Sequence, residues 1–269
     1  MRKTPCRIID IHQHVPEDRD LDARVKACEE TGIVKQVLLG LPESRVPGDN
    51  ARTLRAHRLF PDLFIAFYGV EMDADGLGDI ERARDQGFTG LKFIAPLRPY
   101  NDRAYFKFYE QAAKLKMPAL YHLGIVANLS GWRDCDSNNM RPIHLDHIAR
   151  RIPELTLIGA HFGNPWCDEA AMACRWNPNL FFDFSGSLMK HRKPAWLAEL
   201  LWWKPEGPYP APDKTCAWQK VLFGTDVASS QMEDVRQDYE NLMDTLKLEN
   251  ETCSAIWHDT ASAILRLAP

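Results

Sequence analysis

The sequence has little that would direct the chain to a membrane or to nucleic acid. No apolar run approaches the roughly 18 to 20 residues that a membrane-spanning helix requires. The first residues lead into a short strand and then into charge, without the apolar centre of a signal peptide. The formal net charge is -4 at pH 7, so there is no excess of basic residues to match a phosphate backbone. We therefore expect a cytoplasmic protein that binds neither membranes nor nucleic acid.

Paired cysteines are also missing. The chain contains 7 cysteines, an odd number, and none of them forms a Cys-x-x-Cys motif. This pattern favours reduced thiols over a disulfide framework or a structural zinc site. With 269 residues, of which 45% are hydrophobic, the chain can bury a large core. Since α/β barrels of about 200 to 250 residues commonly form one domain, residues 1–269 are predicted to be a single domain.

Short apolar runs alternate with helical patterns about eight times along the chain. The predicted strands cover residues 7–13, 34–39, 64–70, 90–93, 119–123, 155–160, 180–184 and 221–224. The predicted helices cover residues 20–30, 49–59, 77–85, 103–115, 145–151, 232–246 and 253–267. Strands that alternate with helices indicate parallel βα units. Eight such units predict a closed (β/α)8 TIM barrel.

The first strand carries a pair of histidines. Successive side chains of a strand point to opposite faces, so Asp10, His12 and His14 are expected on one face, and Ile9 and Ile11 on the other. Imidazole is the commonest protein ligand for zinc, and two imidazoles on one face can reach the same ion. The alternative is a strand end with two solvated histidines. The other ligands must therefore come from elsewhere in the chain.

The predicted barrel supplies these ligands, because the active site of a TIM barrel lies at the carboxyl ends of the strands. The polar residues at predicted strand ends are His12, His14, Lys92, His122, His161 and Asp226. A glycine stands two residues before Lys92, before His161 and before Asp226. By parity these glycines are expected to face inward one step deeper and to leave room for the ligands. Converging histidines and an aspartate indicate a catalytic metal site with an open position.

Six segments form an ordered set of motifs over nearly the whole chain. They are IDIHQH (9–14), GLKF (90–93), MPALYHLG (117–124), IGAHFGNPW (158–166), FDFSG (182–186) and FGTD (223–226). This set resembles the amidohydrolase-related metal-dependent family, whose members include small hydrolases and non-oxidative decarboxylases. The resemblance implies one divalent ion, usually zinc, bound by His12, His14, His122 and Asp226. It also implies that His161 lies beside the bound water and not on the metal.

Each of these residues has a chemical reason to be present. A catalytic zinc ion lowers the pKa of its bound water from about 15.7 to about 7, which is more than a side-chain base alone can achieve. Asp226 is expected to accept the proton of this water and to deliver it to a leaving group. His161 is expected to polarise the substrate carbonyl or to orient the attacking water.

Lys92 has two interpretations. A buried lysine is usually tolerated only when it is paired, so we favour an ion pair with Asp10, which has matching parity. In some relatives a lysine on strand 4 is carbamylated and bridges two metal ions, which is the second interpretation. On strand 7, Asp183 is expected either to face the site or to hold a ligand imidazole from behind.

The long loops after the strands are expected to determine specificity. The candidate substrate-binding residues are Lys92, Arg98, Trp132, Arg141 and His191, with Asn128, Arg133, Lys190 and Arg192 in the same loops. Several cations above a metal pocket favour a small substrate that bears a carboxylate. The alternative is that many of these side chains point into solvent.

The segment between strands 7 and 8 is longer than a minimal barrel requires. Residues 196–203 read as a helix rich in tryptophan, and residues 205–212 as a proline-rich extended connection. The tryptophans could cover the mouth of the pocket or form a subunit contact, because exposed aromatic patches usually mark interaction sites. We favour a contact in a homodimer.

Taken together, these patterns predict a metal-dependent hydrolase that acts on a small, carboxylate-bearing ester, lactone or amide. The first alternative is a decarboxylase of the same family, which would use the same ligands and release CO₂ without consuming water. The second is a catalytically silent barrel that serves as a binding or assembly module, for which metal-free purified protein would be evidence. A fold alone cannot decide between these functions.

Overall fold

Eight parallel strands form the centre of the protein in a computed structural model that describes residues 7–15, 21–127, 132 and 134–267. They are β1 (Ile8–Gln13), β2 (Ile33–Leu39), β3 (Phe64–Gly69), β4 (Gly90–Phe93), β5 (Ala119–Tyr121), β6 (Leu157–Gly159), β7 (Leu180–Asp183) and β8 (Val221–Leu222). Each strand pairs with the next one along the chain, and helices lie between them. This arrangement confirms the predicted TIM barrel.

Eleven α-helices occur within the described ranges. They are α1 (Leu21–Thr31), α2 (Asp49–Leu59), α3 (Leu77–Gln86), α4 (Phe106–Lys114), α5 (Ile143–Arg151), α6 (Cys167–Trp176), α7 (Leu188–His191), α8 (Pro194–Leu200), α9 (Met232–Leu246), α10 (Asn250–Ser254) and α11 (Thr260–Leu265). The sequence analysis missed α6, whose buried face consists mainly of alanine and cysteine and therefore gives weak apolar contrast. The last predicted helix is instead two helices joined by a π-helical turn, Ala255–Asp259.

Strands β5, β6 and β8 are shorter than predicted. Apolar residues beyond the ladders still pack in the core, as Leu123 and Leu155 do with 1% exposure each. A strand that is predicted from its apolar residues includes every buried residue of the run. The predicted strand can therefore continue beyond the last backbone hydrogen bond of the ladder.

Two backbone hydrogen bonds join the last strand to the first. Ile11 N donates to Phe223 O at 2.9 Å, and Asp226 N donates to His12 O at 2.9 Å. These bonds place the end of β1 directly beside the residues that follow β8.

The interior of the barrel is apolar toward the amino ends of the strands. Nine strand residues and Ala160, which directly follows β6, form this interior layer; the strand residues are Ile9, Ile11, Val37, Leu39, Ile65, Phe67, Leu120, Ile158 and Leu222. Strands that are not neighbours can bring side chains together only across the inside of a barrel. Ala261 of α11 packs against the same layer, so the C-terminal helix covers the amino end of the barrel. Strand residues of the opposite parity, such as Leu91 and Tyr121, pack with the helices.

A β-bulge interrupts the alternation of β1. Asp10 pairs with Gln36 and Gln13 pairs with Leu38, so three steps along β1 match two along β2. Asp10 therefore has the parity opposite to the interior residues, while the extra residue allows His12 to turn into the barrel. The prediction that Asp10 shares a face with the two histidines is wrong, because it assumed an uninterrupted strand.

The three glycines predicted to face inward behave differently. A Cβ on Gly224 would lie 3.1 Å from the Cβ atoms of both His12 and Asp183, as expected for a position beside the ligands. A Cβ on Gly90 would lie 2.4 Å from the Phe67 ring, so this glycine makes room for an apolar side chain instead. Gly159 faces Phe182 in the outer layer, and its predicted direction is wrong because the chain leaves the strand there.

We predict that Gly90→Ala lowers the free energy of unfolding by about 1 to 3 kcal/mol, because the added methyl group overpacks the interior against Phe67. Urea denaturation of the metal-free protein measures this. Gly78→Ala is the control, since its new methyl group meets only the end of the Arg82 side chain at 3.3 Å. Addition of Phe67→Leu to Gly90→Ala should restore part of the loss. Equal stability of Gly90→Ala and wild type would contradict the packing described.

Candidate metal centre

Four histidines and one aspartate meet at the carboxyl end of the barrel. The Nε2 atoms of His12 and His161 each lie 3.8 Å from Asp226 Oδ2, and His14 Nε2 lies 3.8 Å from Asp226 Oδ1. The ring of His161 is 4.9 Å from that of His12 and 4.8 Å from that of His122. The structure thus brings together the five residues that the sequence analysis selected for the metal and the catalytic water.

The spacing of these atoms fits a metal ion. One ligand atom from each of His12, His161 and Asp226 lies within 4.8 Å of the others. Ligands that each bind one zinc ion at about 2.0 to 2.1 Å lie about 3.3 Å apart in a tetrahedral shell, so small movements suffice. His161 approaches Asp226 as closely as the two histidines of β1 do, although the resemblance had placed it beside the water.

Three of the four imidazoles are oriented by a hydrogen bond at the Nδ1 atom. His14 Nδ1 donates to Leu39 O at 2.8 Å. His12 Nδ1 lies 2.9 Å from Asp183 Oδ2. His161 Nδ1 lies 2.9 Å from Ser185 Oγ and 3.2 Å from Ser185 O. Because a carbonyl or carboxylate oxygen only accepts, the proton is on Nδ1 and the Nε2 lone pair faces Asp226. A carboxylate behind a ligand imidazole, here Asp183, is common in metal sites.

Three buried nitrogen atoms in this region have no hydrogen-bond partner among the residues described. They are His12 Nε2, His122 Nε2 and Lys92 Nζ. A buried polar group without a partner costs about 1 to 3 kcal/mol, so native structures rarely retain such groups without a reason. A bound cation would satisfy the two imidazole nitrogens, and the donor set therefore fits a divalent metal ion.

The electrostatics of the site keep these groups in the protonation states that metal binding requires. Burial lowers the pKa of His14 to about 3. Burial and the neighbouring cationic groups lower the pKa of His122 well below its ordinary value. Burial opposes ionisation of Asp226, but the surrounding histidines and Lys92 outweigh it and hold the pKa of Asp226 below its ordinary value. The imidazoles of His14 and His122 are thus neutral and the carboxylate of Asp226 is ionised near neutral pH.

Two of the site residues adopt a left-handed backbone conformation. His161 has φ 57 and Asp226 has φ 49, values that are uncommon for residues other than glycine. Such residues persist only where the surroundings fix them. Here His161 N donates to Asp183 Oδ1 at 2.9 Å, and Asp226 N donates to His12 O. The parity of β6 therefore does not predict the direction of the His161 side chain.

The preferred pairing of Lys92 with Asp10 is wrong. Both oxygens of Asp10 accept hydrogen bonds from other residues, and its carboxylate has the opposite parity to the interior. Lys92 is fully buried, and its Nζ atom has no partner within the part of the chain that is described. Burial lowers the pKa of Lys92 to about 8, although Asp226 and Asp183 partly counteract this effect. The barrel thus contains an unpaired lysine close to the metal centre.

The predicted substrate-binding residues of the loops have unequal positions. Arg98 is exposed and lies 3.7 Å from Asp102, and His191 is exposed at the end of α7. Arg141 pairs with Glu169, and its guanidinium lies 5.1 Å from the Trp166 ring. These contacts favour the alternative that several loop cations serve the surface. Asn128 and Arg133 lie outside the described residues.

Trp132 contacts a residue that the sequence analysis missed. The guanidinium of Arg45, from the loop after β2, lies 5.4 Å from the Trp132 ring centroid. Arg45 also pairs with Asp134 and donates to Ala95 O at 3.3 Å. The Arg45 side chain is only 9% exposed. It thus joins loops that follow β2, β4 and β5. The location of Arg45 in the loop after β2 was the feature of the sequence that could have identified it.

The exposed Trp202 of the aromatic segment before β8 lies away from the metal centre. The Arg175 guanidinium lies 4.7 Å from the Trp176 ring and 4.8 Å from the exposed Trp202 ring. Trp176 ends α6 just before β7 begins, so this contact is at the amino end of the strands. Trp203 is buried. Trp202 therefore does not cover the pocket mouth, and the homodimer contact stays a prediction.

Comparisons with known proteins give one family match. A family model described as amidohydrolase matches residues 9–267. A search of curated proteins gives no match. Within the described ranges, none of the helices combines the length and apolarity needed to span a membrane.

Several solved structures share the fold. An uncharacterised TIM-barrel protein of Bordetella bronchiseptica has a TM-score of 0.73 at 18% identity, over 97% of this chain and 98% of that one. A probable 2-pyrone-4,6-dicarboxylic acid hydrolase of Acinetobacter baumannii, with bound citric acid, has a TM-score of 0.65 at 14% identity, over 97% and 99%. A dihydroxybenzoic acid decarboxylase of Polaromonas, with bound manganese and 2-nitroresorcinol, has a TM-score of 0.67 at 16% identity, over 97% of both chains.

The unpaired lysine leads to a stability prediction. Lys92→Met should raise the free energy of unfolding of the metal-free protein at pH 7 by on the order of 3 kcal/mol, because it removes a buried charge. The pKa of Lys92 falls from 10.5 in the unfolded chain to about 8, so the cost is full below pH 8. The advantage of the variant should therefore shrink as the pH rises from 8 toward 10.5.

Urea denaturation across this pH range measures the effect. The control is Lys26→Met, because the side chain of Lys26 is 74% exposed and should contribute little at any pH. A Lys92→Met protein that is no more stable than wild type at pH 7 would show that Lys92 is paired.

Proposed function

The chain belongs to the amidohydrolase family, and from this premise we propose that it is a metal-dependent hydrolase of a small, carboxylate-bearing ester, lactone or amide. The family consists of metal-dependent enzymes, both hydrolases and decarboxylases. The observation that carries the proposal is the pair of buried nitrogen atoms His12 Nε2 and His122 Nε2 in the cluster around Asp226, which have no hydrogen-bond partner among the described residues.

We assign His12, His14, His122 and Asp226 as ligands of one divalent ion, with zinc as the expected metal because imidazole and carboxylate ligands suit it. When bound, such an ion polarises a carbonyl group and lowers the pKa of a coordinated water to about 7. His161 would then lie beside the ion, as its distance of 3.8 Å from Asp226 Oδ2 allows. The manganese of the Polaromonas decarboxylase is a reason to identify the metal directly.

Asp226 and His161 are the proposed catalytic residues. Asp226 is ionised and 28% exposed, so it can accept a proton from the attacking water and return it to the leaving group. His161 carries its proton on Nδ1, facing Ser185, so its Nε2 atom can only accept a hydrogen bond. We therefore assign His161 to the orientation of the water, in preference to polarisation of the substrate carbonyl.

Lys92 is the proposed partner of the substrate carboxylate. Its Nζ atom is buried and has no hydrogen-bond partner within the residues that the structure describes. A buried ammonium group is satisfied best by an anion that forms hydrogen bonds with it. Trp132 and Arg45 lie on loops that follow β5 and β2, and we propose that they form part of the entrance.

The metal is tested by its removal and by substitution of its ligands. Elemental analysis should find one ion per chain, and chelation should abolish hydrolysis until the metal is restored. His12→Ala and Asp226→Asn should each lower kcat/KM by about 100-fold or more and should also lower metal content or affinity. His258→Ala is the control, since this histidine contacts the exposed Asp259. Full activity of metal-free Asp226→Asn would contradict the assignment.

The substrate class is tested with a panel of carboxylated and neutral esters, lactones and amides. The carboxylated members should have the higher kcat/KM values. Lys92→Met should raise KM for these members by about 10-fold or more, since a hydrogen bond to a charged group contributes roughly 1.5 to 3 kcal/mol, and should leave the neutral members nearly unchanged. Equal turnover of both sets would exclude carboxylate recognition.

A decarboxylase is the second candidate, because the chain shares its fold with the Polaromonas decarboxylase. The same ligands would serve it, so release of CO₂ without consumption of water is the discriminating result. Mass spectrometry that finds one extra carboxyl group on Lys92, together with two bound ions, would replace the single-ion assignment. Carefully purified protein without metal would favour a silent barrel.

A further inference from the structure

A second buried carboxylate lies behind the metal centre, on the outer face of β1. Asp10 is 0% exposed, and each of its oxygen atoms accepts two hydrogen bonds. Oδ1 accepts from His12 N at 3.1 Å and from Thr225 N at 3.0 Å. Oδ2 accepts from Thr225 Oγ1 at 2.6 Å and from Gln36 Nε2 at 2.8 Å. The hydrogen-bonding capacity of this carboxylate is therefore used by protein groups.

These hydrogen bonds join the two segments that carry the proposed ligands. His12 is on β1, and Thr225 directly precedes Asp226. Gln13 adds a second connection between the same segments, because its Nε2 atom donates to Thr225 Oγ1 at 3.0 Å and to Val227 O at 2.6 Å. The ends of β1 and β8 are thus held together by side chains as well as by the backbone.

The bulge in β1 explains why a carboxylate is needed at this position. The extra residue of a bulge is left out of the regular ladder, and an unpaired buried N–H is costly. His12 N donates to Asp10 Oδ1, which satisfies the amide of the residue that turns inward. Asp10 therefore stabilises the local backbone that directs His12 toward Asp226.

We propose that Asp10 is a positioning residue of the metal centre. It fixes the separation between His12 Nε2 and Asp226 Oδ2, which is 3.8 Å, without contacting the ion. This inference rests on the proposed function only in that a metal ion binds between these two residues.

An asparagine can replace Asp10 only in part. Its NH₂ group would have to lie at the Oδ2 position, because the Oδ1 position faces two backbone N–H groups, which cannot accept. Asp10→Asn keeps the size of the side chain, removes the negative charge, and requires the Thr225 hydroxyl and the Gln36 amide, which now donate to Oδ2, to turn and accept. Thr225→Val likewise keeps the shape and removes the hydroxyl that donates to Asp10, whereas Thr225→Ser retains this hydroxyl.

The test compares metal affinity in these variants. The Kd for Zn²⁺ is measured by competition with a chromogenic chelator, and the visible absorption of the Co²⁺-loaded protein reports the geometry of the ligands. Asp10→Asn and Thr225→Val should bind Zn²⁺ about 10- to 100-fold more weakly, with altered Co²⁺ spectra. Thr225→Ser should resemble wild type in both measurements.

Asp146→Asn is the matched control for loss of a partly buried carboxylate. Asp146 of α5 accepts from Arg150 Nε at 2.9 Å and from Asn177 Nδ2 at 2.8 Å, near the amino end of β7. It should lose stability without a change in metal affinity or spectrum. Equal weakening in Asp146→Asn would overturn the positioning role, because the effect would then be general destabilisation.

The remaining outcomes are separable. Wild-type affinity and spectrum in Asp10→Asn would overturn the positioning role and leave the proposed function intact. Wild-type protein that binds no ion would overturn both. If Asp10→Asn does not fold, the pair Thr225→Val and Thr225→Ser decides, and equal affinities in this pair would contradict the role of Asp10.

Discussion

The junction between β8 and β1 is the constraint on which the site depends. Thr225 and Asp10 are 215 positions apart in the chain, yet backbone and side-chain hydrogen bonds hold their segments side by side. Because the barrel closes at this junction, His12 and Asp226 are brought to the same point, where their ligand atoms can share an ion. Weak packing elsewhere in the barrel would lower stability, whereas a wider junction would separate the ligands themselves.

The two sides of the cluster are satisfied very differently. Behind it, Asp183 and Ser185 bind the Nδ1 atoms of His12 and His161, so the imidazoles have fixed directions. In front of it, three buried nitrogen atoms have no hydrogen-bond partner in the described ranges of the chain: His12 Nε2, His122 Nε2 and Lys92 Nζ. Unpartnered polar groups reduce stability, and residues retained at such a cost are characteristic of functional sites. The unsatisfied groups in front of the cluster are therefore the reason to propose a bound metal ion and an anionic substrate.

The barrel and most of the site could be predicted from the sequence, because both depend on local patterns. Buried parallel strands are apolar runs, and β2 and β3 were therefore placed to within one residue. His122 directly follows β5, and Asp226 follows the apolar run of β8 after Gly224 and Thr225. The bulge in β1 could not be predicted, because it depends on contacts of Asp10 with Gln36 and Thr225 that are distant in sequence. Lys92 was wrongly paired with Asp10 because the prediction did not include this bulge. The left-handed conformation of His161 also could not be predicted from the alternation of side chains along a strand.

X-ray absorption spectroscopy of the metal-loaded protein is the decisive measurement, because it reports the atoms bound to the ion. We expect a shell of nitrogen and oxygen atoms at about 2.0 to 2.2 Å, with the outer-shell scattering of several imidazole rings. In His12→Ala the imidazole signal should decrease. A sulfur shell at about 2.3 Å, or an imidazole signal that is unchanged in His12→Ala, would contradict a metal centre built from the end of β1 and Asp226.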